Sequence, residues 1–175
     1  MKFLTSEEAT EWCEARGVTV SPDHYLSYDV ENFHSFTVAL DEKPSRVIGL
    51  ADYLVPTWDD VPFKGALLWI RATDIWGDHS EKTGAMILQQ LRLAKEERHP
   101  VDERPGHLFG PDELIELHSC FVLPLLFGWD AFLVPEGENY FVFISHDEVV
   151  KIVSPNADAS AEVQQRVKTW QNGRG

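Results

Sequence analysis

The hydrophobic pattern is clearest near the end of the chain. Apolar runs at residues 129–134, 140–144 and 149–153 are separated by Pro-Glu-Gly-Glu-Asn and Ser-His-Asp-Glu. Short β-branched and aromatic runs parted by polar turns predict an antiparallel three-strand meander. Phe141 and Phe143 fall on one face, and Tyr140, Val142 and Ile144 on the other. Apolar residues on both faces call for cover on both.

Upstream, the period changes. Thr5 and Glu8 have capping-box spacing, Ala9, Trp12, Cys13 and Arg16 share a helical face, and Gly17 supplies the stop. Residues 18–20 and 36–40 read as short strands. Residues 46–55 read as another strand, interrupted by Gly49 and Asp52. Residues 65–76 alternate with Leu68, Ile70 and Ala72 on one face and Leu67, Trp69, Arg71 and Thr73 on the other. A helix capped by Asp78 or Ser80 is expected to reach about Arg98, with Met86, Ile87, Leu91 and Ala94 inward. Residues 100–110, rich in Pro, Gly and charge, read as a linker too short to divide the chain into domains. A helix from Pro111 buries Leu114, Leu117 and Phe121, and a last one from Asp158 or Ser160 buries Val163, Val167 and Trp170. Strands and helices do not alternate regularly. The expectation is one α+β domain over residues 1–175, with a mainly antiparallel sheet, the C-terminal meander and about four helices.

Composition changes this picture mainly through charge. The formal net charge is −14. Such a surface favours solubility, repels nucleic-acid phosphates and suits a basic partner. No apolar run is long enough for a membrane helix, and no secretory leader is visible, so the cytoplasm is the expected location. Cys13 and Cys120 both sit among apolar residues and read as small buried hydrophobes.

Candidate chemistry comes last because the familiar signatures are missing. There is no phosphate loop, nucleophile elbow, His-Glu-x-x-His or Cys-x-x-Cys, and no cofactor or metal is expected. The Ser145-His146-Asp147-Glu148 turn is the most chemical-looking cluster. His146 and Asp147 could serve as a general base with its orienter, while the competing view makes them turn formers. Asp78 and His79, at a strand-to-helix junction, could join them, although capping explains Asp78 as well. Arg71 beside Trp69 could bind a small ligand, or pair with a carboxylate or an aromatic ring. Arg92, Lys95, Arg98, His99, Arg104 and His107 make one cationic concentration, which helix-end charge complementarity largely explains. The favoured function is a non-enzymatic protein-interaction domain with a basic protein partner, of inhibitor or immunity type. Its rivals are a hydrolase-like, metal-assisted enzyme using His146, Asp147, His79 and Asp78, and a small-ligand module at Trp69 and Arg71.

Overall fold

The computed structural model describes residues 1–31, 33–55, 62–71 and 79–173. Its strands are β1 (Lys2–Leu4), β2 (Val18–Val20), β3 (Leu26–Tyr28), β4 (His34–Ala39), β5 (Ala66–Ile70), β6 (Gly106–Phe109), β7 (Ala131–Pro135), β8 (Phe141–Ser145) and β9 (Val149–Ser154). The helices are α1 (Ser6–Glu14), α2 (Pro44–Leu54), α3 (His79–Leu93), α4 (Leu114–Phe127) and α5 (Ala157–Asn172). Seven strands join in the order β1-β6-β5-β7-β8-β9-β4, every adjacent pair antiparallel, while β2 and β3 form a separate hairpin. The α+β class and the meander of β7, β8 and β9 are as the sequence predicts.

The sheet is apolar on both faces because both are covered. Leu68, Ile70, Leu133, Val142, Ile144 and Ile152 pack with α2, α4 and α5. Leu67, Trp69, Phe132, Val134 and Phe141 pack with Ala9 and Cys13 of α1 and with Val18 and Leu26 of the hairpin. Phe141 is buried and Phe143 half-buried, the latter stacked on Phe132 with ring centroids 4.8 Å apart. Cys13 and Cys120 are free and buried in different clusters, and burial pushes both thiols up to about 12.

Three expectations need correction. Residues 46–55 are mostly helix. Pro44 sits in the first turn, and Val47, Leu50, Ala51 and Leu54 form its buried stripe. The residues that spoil a strand pattern suit this helix: Gly49 lies against the Trp170 indole, and Asp52 reaches His118 Nε2 at 2.8 Å. Residues 100–110 are no linker, since β6 lies between β1 and β5 inside the sheet. Finally, α3 is rotated from its expected phase. Met86 is 69% exposed and Ile87 also faces solvent, whereas Gly84, Leu88 and Arg92 are buried. A β-carbon on Gly84 would fall 2.4 Å from the Phe127 ring, so α3 can approach α4 this closely only through glycine.

Candidate functional site

One end of the sheet gathers the polar groups. The β8–β9 turn is closed by Glu148, whose φ of 59° lies in the left-handed region and whose N–H donates to Ser145 O at 3.1 Å. Ser145 Oγ accepts from the Asp147 amide at 3.2 Å, which is the turn chemistry expected of Ser and Asp. Across the sheet, β7 pairs Ala131 with Ile144, so Asp130 meets the start of this turn. Asp130 Oδ1 accepts from the His146 backbone amide at 2.7 Å and lies 2.9 Å from His146 Nδ1. An ionised carboxylate only accepts, so the bonded Nδ1 carries the proton.

Arg71 approaches from β5. Its backbone amide donates to Asp130 O at 2.9 Å, and its guanidinium reaches Asp130 Oδ2 at 4.0 Å while lying 4.4 Å from the centroid of the Tyr25 ring. Asp130 is 4% exposed, a burial that carboxylates tolerate when paired. Buried Asp130 therefore orients the His146 side chain, which is 60% exposed. His146 Nε2 lies 3.7 Å from Asp147 Oδ1. A pinned Nδ1 and an outward imidazole are the geometry of a general base with its orienter.

The expected residues are thus only partly brought together. Asp147 neighbours His146, but Asp130 is the carboxylate that fixes the ring. Trp69 is 2% exposed and part of the core, with the His24 ring 5.4 Å away. Asp78, and the side chain of His79, lie outside the described residues. No group of three His, Cys, Asp or Glu side chains among the described residues is arranged to hold a metal. Asp130 was detectable in the sequence: it is a lone carboxylate within the apolar stretch that leads into the meander. Such a residue requires a partner.

Beside the His146 turn is a cleft of about 600 Å³, lined by Asp41, Glu42, Pro44, Val47, Leu125, Phe127, His146 and Glu148. The C-terminal end of α4, capped by left-handed Gly128, contributes the negative pole of its dipole. Hydrogen bonding from the Lys43 amide, with Arg46 beside it, holds the Asp41 carboxyl below the usual carboxylate range. Glu42 and Glu148 are exposed. Two exposed carboxylates, the Arg46-paired Asp41 and a helix C-terminus give this cleft an acidic lining.

The cationic concentration at residues 92–107 is centred on a buried network. Arg92 is fully buried and donates to Arg104 O at 3.0 Å, His99 O at 3.0 Å and His107 Nε2 at 2.8 Å. His107 Nδ1 donates to Pro105 O at 3.0 Å, leaving Nε2 as the acceptor for Arg92. Burial first, and Arg92 second, bring His107 down to about 3, so its ring is neutral. Buried Glu97 pairs with His99 at 2.6 Å and Arg104 at 3.4 Å. These groups tie α3 to β6.

No helix among the described residues is long and apolar enough to cross a membrane. Comparison with protein-family models, with curated proteins and with solved structures finds no match to this chain.

Proposed function

We propose that this chain is a non-enzymatic interaction domain that presents an acidic surface to a basic protein partner. An inhibitor or immunity role, in which the domain covers a basic functional surface of another protein, is its most concrete form. The cleft walled by Asp41, Glu42 and Glu148 is the observation that supports this reading. A Lys or Arg side chain entering it would meet the exposed carboxylates of Glu42 and Glu148 beside the C-terminal end of α4. The overall charge of −14 adds long-range steering of a cationic partner.

Isothermal calorimetry with hexa-arginine tests the reading. The Glu42→Lys/Glu148→Lys variant should lose at least tenfold in affinity. Glu11→Lys/Glu14→Lys, an equal change of net charge placed on α1, should lose less than threefold. Equal losses in the two variants would reduce the cleft to a share of diffuse surface charge and refute the proposal.

The Asp130–His146 pair favours a second reading, a hydrolase-like activity with His146 as general base. It replaces Asp147 by Asp130 as the orienting carboxylate. Asp147 is 77% exposed and lies on the other ring nitrogen.

A further inference from the structure

The edge of the sheet beside the acidic cleft offers a second element of recognition. Strand β4 ends the seven-stranded sheet and pairs with β9 from His34↔Ser154 to Ala39↔Val149. Beyond that register, the Leu40 amide donates to Glu148 O at 2.8 Å. In an antiparallel strand alternate residues send both backbone groups to the same side. Leu40, Val38 and Phe36 therefore turn theirs toward β9, whereas Ala39, Thr37 and Ser35 turn theirs outward. All three outward residues are exposed, and no strand among the described residues pairs with that side.

Sheet edges are ordinarily blocked by a Pro, a Lys or another charge within the strand. The six residues His-Ser-Phe-Thr-Val-Ala contain none of these. The acidic groups stand at the strand's two ends instead: Asp29 and Glu31 before it, Asp41, Glu42 and Glu148 after it. Of these, Asp41 is taken up by Arg46 at 2.6 Å, and the nearby Lys151 lies over the Phe33 ring at 5.9 Å. That leaves Asp29, Glu31, Glu42 and Glu148 as exposed carboxylates bracketing an open edge.

The bracketing discriminates between occupants. Two copies of β4 paired antiparallel would bring Asp29 and Glu31 of one toward Glu42 and Lys43 of the other, on molecules each carrying a charge of −14. The net repulsion between two such molecules disfavours that pairing. A segment with cationic ends reverses the sign at both ends. We infer that β4 takes an extended segment of the basic partner as an added strand, with Lys or Arg residues at the segment's ends meeting these carboxylates. Main-chain bonds would supply affinity, and the charged ends register. This inference rests on the basic-partner reading and adds its mode of binding.

The test titrates the full chain with a nine-residue peptide carrying arginine at each end and alternating threonine and valine between. A second peptide has two adjacent central amides N-methylated, so that neither of its edges can pair. The unmethylated peptide should bind at least tenfold more tightly. Thr37→Pro should weaken it equally at unchanged melting temperature, because the Thr37 N–H faces outward and its loss breaks no bond to β9. If that variant does not fold, the methylated peptide decides alone. Binding indifferent to methylation, but weakened by Glu42→Lys/Glu148→Lys, would overturn strand addition and leave the basic-partner reading standing. Failure of both this peptide and hexa-arginine to bind would overturn both. A concentration-dependent dimer of the native chain, abolished by Thr37→Pro, would assign the edge to a second copy and overturn the inference.

Discussion

Asp130 joins three elements through one side chain and one carbonyl. Its carboxylate holds the β8–β9 turn by the His146 amide and ring, and its carbonyl holds the end of β5 by the Arg71 amide. Asp130→Ala would leave the His146 amide and Nδ1 without their acceptor, while the Arg71 amide keeps the backbone carbonyl, and should cost about 1–3 kcal/mol in denaturant unfolding. His146→Asn keeps the backbone bond and should cost much less, since His146 is exposed. The same variant separates binding from catalysis. With p-nitrophenyl acetate, the native chain should hydrolyse the ester no faster than equimolar imidazole, and His146→Asn should leave hexa-arginine affinity unchanged. A rate well above imidazole, lost in both His146→Asn and Asp130→Asn, would favour the general-base reading. At this scale the sequence yields residue types but not pairings. His146 was visible because turns concentrate polar residues. Its pairing with Asp130 was not, because the two become neighbours only through the register of β7 on β8.

The links between elements hold most of the misread detail. Residues 46–55 present a helical stripe, but Val, Ile and Leu suit either state over a short run, so the local pattern alone also fits a strand. An apolar period misplaces the inner face of α3 because that face is not wholly apolar. Its inner face instead includes Gly84 and Arg92, chosen by close approach to α4 and by the carbonyls and imidazole around the guanidinium. That contact predicts a pH dependence. Folded His107 titrates at about 3, below its ordinary 6.5, so as pH falls the unfolded chain takes up the proton first. The stabilisation from a neutral His107 is complete above about pH 6.5 and declines as pH drops toward 3. Between pH 7 and 5.5 this one group should remove about 1 kcal/mol. His107→Gln can donate to Pro105 O and accept from Arg92 without titrating. Its urea midpoint, although lower at pH 7, should change less across that interval. An equal change in both proteins would place the acid sensitivity elsewhere.

At the scale of the molecule, the fold class followed from local pattern because three successive runs and two turns leave little choice beyond a meander. Strand order did not follow. The pairing of β1 and β5 with β6, and of β4 with β9, joins residues far apart in sequence, and no local period records such contacts. The same holds for the cleft, whose walls come from α2, the end of α4 and the β8–β9 turn. Net charge, legible from composition, suggested a basic partner. Only the fold assembles Asp41, Glu42 and Glu148 around one concavity beside an open strand edge. The most direct measurement is a backbone amide chemical-shift map of the full chain titrated with hexa-arginine. Shifts should concentrate at Leu40, Asp41 and Glu42, at Phe127 and Gly128, and at His146, Asp147 and Glu148, and should saturate together. Shifts spread evenly over the acidic surface, or centred on another face, would contradict a basic-partner site in this cleft.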